Sequence, residues 1–144
     1  AAYGDPSGAG IAVTVLSFGF KHGLPLDADM VFDVRFLPNP HYVEKLRHLT
    51  GLDGPVAEYV FRWPVTSRFM EKLYDMVGFL MPHFVAEGKS HLVLAVGCTG
   101  GQHRSVAIGE MLGGYLRELG YRVRVHHRDI RQAALERPEQ EAAT

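Results

Sequence analysis

The sequence has very little cysteine and no clear excess of charge, and both features narrow the kinds of protein it can represent. Cys98 is the single cysteine among 144 residues, so the chain forms no internal disulfide and a cysteine-rich zinc site is excluded. Fifteen Lys and Arg residues face 16 Asp and Glu residues, which gives a formal net charge of −1. Bulk electrostatics therefore indicates neither a polyanionic partner nor an anionic membrane.

Long apolar runs are also missing. No stretch approaches the roughly 18 residues that a membrane-spanning helix needs, and residues 1–10 lack the basic flank and apolar run of a signal peptide. We therefore expect a cytoplasmic protein that contacts no membrane. Hydrophobic residues make up 47% of the chain, which is enough for one domain with an ordinary core.

Four segments have the pattern of β-strands. Residues 11–16 and 92–96 are nearly continuous apolar runs, as in strands that are covered on both faces of a parallel sheet. Residues 30–36 alternate, with Phe32, Val34 and Phe36 predicted to share one face. Residues 122–126 alternate between valine and basic side chains, which predicts a half-exposed strand.

Helical spacing fills the segments between these strands. The predicted helices are residues 41–49, 55–61, 67–86 and 103–119. Pro82 is expected to bend or break the third of them. The order of elements predicts an α/β fold: a three-layer sandwich around a mostly parallel sheet of about four strands, with ligand loops at the carboxyl ends of the strands. We expect one domain over residues 11–131, between a flexible segment, 1–10, and a flexible acidic tail, 132–144.

The strongest functional signal is the loop between the strand at 92–96 and the next helix. Glycines there allow successive N–H groups to turn inward, the helix start adds its dipole, and Arg104 can hold two phosphate oxygens. This pattern predicts an oxyanion site, and a glycine-rich turn without a ligand is the alternative. No Gly-Lys-Ser or Gly-Lys-Thr follows, so the loop is not a Walker A motif. The candidate residues are Cys98, Thr99, Gly100, Gly101, His103, Arg104 and Ser105.

The same loop also permits a catalytic interpretation. Cys98 precedes Arg104 by the spacing found in cysteine-dependent phosphatases, in which a thiolate attacks a phosphoryl group held by an Arg. That chemistry also needs a general acid on a mobile loop, and the candidate segment Trp63-Pro64-Val65 carries none. The loop therefore predicts oxyanion binding first and hydrolysis second.

Polar residues after two other strands are expected at the same sheet edge. Lys21 is either a solvated lysine or a cation that reaches the phosphate. Asp33 and Arg35 form either an ion pair or hydrogen bonds to a sugar. Asn39 lies between two prolines that hold it extended and fix the position of His41, which is typical of a recognition loop.

Three blocks together closely resemble the carboxyl-terminal domain of the RNase adaptor RapZ family. They are residues 17–23 with Ala28-Asp29, residues 31–42, and residues 97–106, and the resemblance covers roughly residues 11–131. Full-length members also carry an amino-terminal nucleotide-binding domain with a Walker A loop, a motif absent from this sequence.

The resemblance implies a function without catalysis. The enterobacterial member binds glucosamine 6-phosphate and a small RNA that it presents to an endoribonuclease, and the family forms oligomers. By this resemblance the chain is expected to be a sensor for an amino sugar phosphate, with an RNA-binding adaptor for an endoribonuclease as the alternative, and to self-associate. The ligand residues it implies are Lys21, Asp33, Arg35, Asn39, His41, Thr99, Gly100, His103 and Arg104.

RNA contact has a modest basis in charge. Residues 89–131 carry a net charge of +4, and Arg122, Arg124 and Arg128 are the RNA-binding candidates. Basic residues that keep an edge strand from aggregating are the alternative interpretation. The remaining histidines show no metal-ligand spacing, so no metal and no cofactor is expected.

Overall fold

A computed structural model describes residues 10–131. The segments predicted to be flexible, 1–10 and 132–144, lie outside the described residues except for Gly10. The described chain contains four strands and three α-helices in the order β1 (Ala12–Gly19), β2 (Met30–Asp33), α1 (Gly54–Phe61), α2 (Pro64–Glu87), β3 (His91–Cys98), α3 (Arg104–Glu118) and β4 (Arg122–His127). Short 3-10 helices cover Phe20–His22 and Pro40–Tyr42.

The strands form one parallel sheet in the order β2, β3, β1, β4. The two apolar runs become its central strands, with Val15 of β1 paired to Leu94 of β3. Both side chains are fully buried. The predicted α/β class and mostly parallel four-stranded sheet are confirmed, because β-branched runs covered on both faces pair best inside a sheet.

The layers on the two faces of the sheet differ. Buried side chains of all three helices pack on the face that carries Val13, Val15 and Leu94. A smaller cluster covers the other face: Leu16, Phe18 and Ala95 pack with Phe20 and Ala28 from the segment between β1 and β2. The sandwich is thus built of helices, sheet and this irregular segment.

Two local predictions differ from the structure, and of the two outcomes expected at Pro82 the break does not occur. The strand predicted over residues 30–36 ends at Asp33, because the chain turns there and the N–H of Leu37 bonds to the carbonyl of Val34 at 3.2 Å. Val34 is buried whereas Phe36 is 57% exposed, so these two do not share a face. The helix predicted over 41–49 is a 3-10 turn followed by further turns. Pro82 lies inside α2 and does not break it, since that helix continues to Glu87.

Candidate functional site

The loop after β3 lies across the carboxyl end of β1. A Cβ placed on Gly19 would stand 2.4 Å from the carbonyl carbon of Gly100, so the two backbones touch. Gly101 has φ 77°, a left-handed conformation that glycine adopts without strain. The N–H of Gly19 donates to the Asp129 carboxylate at 2.8 Å. Glycine at these positions therefore holds the loop, β1 and the segment after β4 together.

A cavity of about 320 Å³ opens where these segments meet. It lies beyond the carboxyl ends of the strands, where ligands bind in open α/β sheets. Eight of the twelve predicted ligand residues line it, together with three further residues. The lining consists of Lys21, Asn39, His41, Tyr42, Cys98, Thr99, Gly100, Gln102, His103, Arg104 and Arg131.

Arg104 is the most buried cation of this lining, with 4% of its surface exposed. Its Nη1 donates to the carbonyl of Arg35 at 2.6 Å and to that of Leu37 at 3.1 Å. Its Nη2 lies 3.4 Å from the hydroxyl oxygen of Thr99, and its buried Nε has no hydrogen-bond partner among the described residues. Nη1 thus donates its hydrogen bonds to protein carbonyls. If Arg104 binds two phosphate oxygens, as the sequence predicts, it must do so through Nε and Nη2.

No carboxylate in the described part of the chain lies within ion-pair distance of that guanidinium, and the Asp33 carboxylate, which is paired with Arg35, interacts with it only at longer range. The ion pairs found there involve other residues. A buried charge without a counter-charge is costly, and buried charges in proteins are normally paired. The arrangement leaves a positive charge at the cavity wall that an anion would balance.

The start of α3 adds hydrogen-bond donors to the same wall. The first backbone hydrogen bond of this helix is donated by the N–H of Ala107 to the carbonyl of His103, at 3.0 Å. No side chain caps the helix start. The N–H groups of Arg104, Ser105 and Val106 therefore have no partner within the helix, as at other helix starts that bind anions, and of these three residues Arg104 lines the cavity.

His103 is a neutral hydrogen-bonding group in this site. Its Nε2 lies 3.1 Å from the carbonyl of Arg47, which can only accept, so Nε2 carries the proton. Burial lowers the pKa of His103, and electrostatic interactions with Arg131 and His41 lower it further, against the hydrogen bonds to Arg47 and Leu49, which raise it. His103 therefore joins the loop after β3 to the segment around Arg47 without adding charge near pH 7.

Lys21 lies over the same loop. Its N–H donates to the carbonyl of Thr99 at 3.2 Å. A Cβ placed on Gly100 would lie 4.0 Å from Lys21 Nζ. The ammonium group is thus close to the loop that carries Thr99 and Gly100, as the cation interpretation of Lys21 requires.

Four of the predicted ligand residues lie outside the lining: Asp33, Arg35, Gly101 and Ser105. Asp33 and Arg35 form an ion pair at 2.7 Å with side chains that are 45% and 47% exposed. The hydrogen bond from Arg35, acting against partial burial, lowers the pKa of Asp33, to which Arg104 also contributes. The structure thus favours the ion-pair interpretation, with the backbone of Arg35 rather than its side chain held by Arg104.

Asn39 and His41 reach the cavity as the two flanking prolines indicated. Asn39 begins the 3-10 helix Pro40–Tyr42, and its side-chain oxygen accepts the N–H of His41 at 3.0 Å. His41 is exposed and lines the cavity. The rigid turn therefore positions His41 at the cavity mouth.

Cys98 and Ser105 form a buried pair behind the loop. Cys98 Sγ lies 3.1 Å from Ser105 Oγ, and Cys98 is 2% exposed. Cys98 lines the cavity, whereas Ser105 and Gly101 do not. No carboxylate lines the cavity in the described chain, so the lining lacks the general acid that a cysteine-dependent phosphatase uses.

Sequence reasoning missed three lining residues: Tyr42, Gln102 and Arg131. Gln102 joins the loop after β3 to the end of the domain, since its amide nitrogen donates to the Asp129 carbonyl at 2.7 Å and its side-chain oxygen accepts the N–H of Arg131 at 3.1 Å. Tyr42 and Gln102 lie within the loops already singled out. For Arg131, 27 residues beyond Arg104, no local signal existed.

The RNA-binding candidates lie elsewhere. Arg122 and Arg124 are exposed on the edge strand β4, whose predicted half-exposed pattern is confirmed. Arg128 is engaged with Asp129 at 2.8 Å and with the carbonyl of Gly23 at 2.7 Å. Two of the three candidates are thus available to a partner.

Residues 10–131 contain neither a membrane-spanning helix nor a cluster of metal-binding side chains. None of the helices there is long and apolar enough to cross a membrane. No group of three or more His, Cys, Asp or Glu side chains in that range could hold a metal ion.

Together these features define an α/β domain with a polar cavity, lined by cations, at the carboxyl edge of a parallel sheet. A family model described as the RapZ C-terminal domain matches residues 11–131, and the chain belongs to this family. The match covers the predicted domain from end to end.

Several curated relatives are similar over most of the chain. A nucleotide-binding protein of Symbiobacterium thermophilum is 58% identical over 129 residues, which is 90% of this chain and 43% of that protein. Nucleotide-binding proteins of Caldicellulosiruptor saccharolyticus and Staphylococcus aureus are 58% and 59% identical over 82% and 88% of the chain. The chain therefore spans only 40% to 43% of the length of these relatives.

Proposed function

We propose that this domain binds a small phosphorylated metabolite in the cavity and does not convert it. The observation that carries the proposal is Arg104, a residue with 4% of its surface exposed that lines the cavity, forms no ion pair with a described carboxylate and has a buried Nε without a hydrogen-bond partner. A phosphate would supply both the missing charge and the missing acceptor. Lys21 and the start of α3 add a second cation and free N–H groups beside it.

Glucosamine 6-phosphate is the first ligand to test, because the family resemblance implies it. At about 320 Å³ the cavity falls at the lower end of the range for small-molecule sites. Thr99, Asn39 and Gln102 supply neutral groups for sugar hydroxyls. The regulatory consequence of such binding, adaptor function toward a nuclease, belongs to the same proposal.

Isothermal titration calorimetry with glucosamine 6-phosphate, inorganic phosphate and adenosine monophosphate tests this proposal. We expect saturable binding of the sugar phosphate and a loss of about tenfold in affinity for Lys21→Gln, since one charge-assisted contact is removed. Lys72→Gln, an exposed lysine outside this cavity, is the matched control and should bind as the wild type does. Absence of heat with every ligand would end the proposal.

Hydrolysis is the second candidate, favoured by the Cys98 and Ser105 pair at 3.1 Å. The thiol, the nearby hydroxyl and Arg104 are parts that a cysteine-dependent phosphatase uses. The test is turnover of 4-nitrophenyl phosphate by the wild type and by Cys98→Ser. Turnover that disappears in the variant would establish hydrolysis, and no turnover in the wild type would leave binding as the function.

RNA binding is a separate candidate, favoured by the exposure of Arg122 and Arg124 on β4. Phosphate contacts of this kind release counterions, so affinity would fall steeply with salt. Replacing both arginines with Gln should weaken binding of a small RNA at low salt in a gel-shift assay. An unchanged shift would remove β4 from the RNA-binding surface.

A further inference from the structure

Arg131 brings a third full positive charge to the cavity, at a different part of its wall from Lys21. Its Nη2 donates to the carbonyls of His48 at 3.0 Å and Leu49 at 3.3 Å, and its N–H donates to Gln102. Lys21 instead lies against Thr99 and Gly100. The cavity is therefore positive on two sides.

The charges of the lining do not balance. Lys21, Arg104 and Arg131 are cations, and the lining contributed by the described chain includes no Asp or Glu. The nearest acidic neighbour of Arg131 in sequence, Asp129, is already paired with Arg128 at 2.8 Å and accepts the N–H of Gly19. The charge of Arg131 also acts on His103 in the cavity lining: burial lowers the pKa of His103, and Arg131 lowers it further.

One phosphate does not use all of this charge. A phosphate monoester carries close to two negative charges near pH 7, which Lys21 and Arg104 balance at the wall where the loop amides lie. The remaining cation, Arg131, then faces the rest of the ligand. An acidic group there would be held, whereas a neutral group would gain little from Arg131 and the ammonium group of an amino sugar would be repelled by it. The inference thus narrows the proposed phosphorylated ligand toward an acidic metabolite rather than an amino sugar.

We propose that Arg131 forms a second anion subsite and that the cavity favours a phosphorylated metabolite with a second acidic group, a carboxylate or a second phosphate. The inference rests on the proposed phosphate site and adds the class of ligand. It assigns specificity to a side chain at the end of the domain, directly after β4 and its following turn.

Three ligands that share a six-carbon sugar framework test this subsite by calorimetry: glucose 6-phosphate, glucose 1,6-bisphosphate and 6-phosphogluconate. The wild type should bind at least one of the two ligands with a second acidic group about tenfold tighter than glucose 6-phosphate. Arg131→Gln should lose that preference, because its affinity for the two ligands with a second acidic group should fall much more than its affinity for glucose 6-phosphate. Arg131→Lys should retain most of the preference, and Arg124→Gln, which alters an exposed arginine outside the cavity, should leave it unchanged.

The outcomes separate the two levels of the proposal. Equal affinity of the wild type for all three ligands overturns the second subsite and leaves the phosphate site standing. A preference that persists in Arg131→Gln assigns it to another residue and also overturns the inference. Failure of all three ligands to bind overturns the phosphate site and the second subsite together.

Discussion

The side chain of Arg104 both lines the proposed ligand cavity and holds the turn after β2. Its Nη1 holds the carbonyls of Arg35 and Leu37, which fixes the turn after β2, while Nη2 lies near the Thr99 hydroxyl and Nε has no partner among the described residues. Replacing it with alanine would remove both functions and leave buried carbonyls unsatisfied. Substitutions of Lys21 and Gly100 therefore test ligand binding with less effect on the folded structure than substitution of Arg104.

Gly100→Ala tests the site with a single methyl group. The new Cβ would meet no protein atom closer than 3.9 Å, so stability should stay within about 0.5 kcal/mol of the wild type. Because the methyl group would stand beside Lys21 at the cavity wall, we expect phosphate-ester affinity to fall by about tenfold or more. Calorimetry and urea denaturation measure the two effects.

Gly54→Ala is the control for this change, since its Cβ also meets nothing within 4 Å and Gly54 lies at the start of α1, outside the cavity. It should leave affinity unchanged. Undiminished phosphate binding in Gly100→Ala would place the ligand elsewhere.

His103 predicts a pH dependence of stability. Burial lowers its pKa below 6.5 in the folded protein, so between that lowered value and about 6.5 the unfolded chain binds more protons. The free energy of unfolding should therefore decrease as the pH falls through this window and level off below the folded-state pKa. Urea denaturation from pH 8 to pH 5 measures this decrease.

His103→Gln isolates that contribution, because glutamine keeps an N–H donor for the Arg47 carbonyl and does not titrate. The variant should show a shallower decrease of stability toward acid. A decrease of the same steepness in both proteins would assign the effect to other groups.

At the level of secondary structure, α3 contains two adjacent glycines with opposite surroundings. A Cβ on Gly113 would stand 2.4 Å from Val125 Cγ2 of β4, whereas a Cβ on Gly114 would meet nothing within 4 Å. Close packing against a neighbouring element is thus found at Gly113 and not at Gly114. Gly113 is what allows α3 to approach the edge strand.

Replacing each of these two glycines with alanine should change the free energy of unfolding in opposite directions. Gly113→Ala should destabilise the domain by about 1–3 kcal/mol through overpacking. Gly114→Ala should stabilise it by about 0.5–1 kcal/mol through helix propensity. Urea denaturation of both variants checks this, and a loss of stability in Gly114→Ala would contradict the packing described for this helix.

The sequence predicts the strands and helices that have a strong local hydrophobic pattern. It does not predict those whose ends or conformation depend on particular hydrogen bonds in the folded chain. The apolar runs of β1 and β3 and the spacing in α2 and α3 carry their own signal. Residues 41–49 have helical spacing, yet hydrogen bonds such as that from Val43 to the Pro40 carbonyl hold them as turns. The end of β2 at Asp33 likewise depends on the turn that Arg104 holds. Arg104 is 69 positions from Arg35 and 67 positions from Leu37, whose carbonyls it binds, so no local pattern could predict these contacts.

At the scale of the whole molecule, the sheet order creates the site. Because β1, β2 and β3 are parallel neighbours, the segments after them meet at one edge, and Lys21, Asn39 and Arg104 become neighbours although the chain separates them widely. The sequence predicted this edge from the rule for parallel sheets. It gave no means of placing Arg131 there, because the Gln102 contacts that bring it in are tertiary.

The central claim is that an anion binds between the start of α3, Lys21 and Arg104. Titration of ¹⁵N-labelled protein with inorganic phosphate, followed by amide chemical shifts, tests it most directly. We predict saturable shifts that are largest at residues 99–106 and Lys21. Shifts that are absent at millimolar phosphate, or that are largest on the exposed face of β4, would contradict the claim.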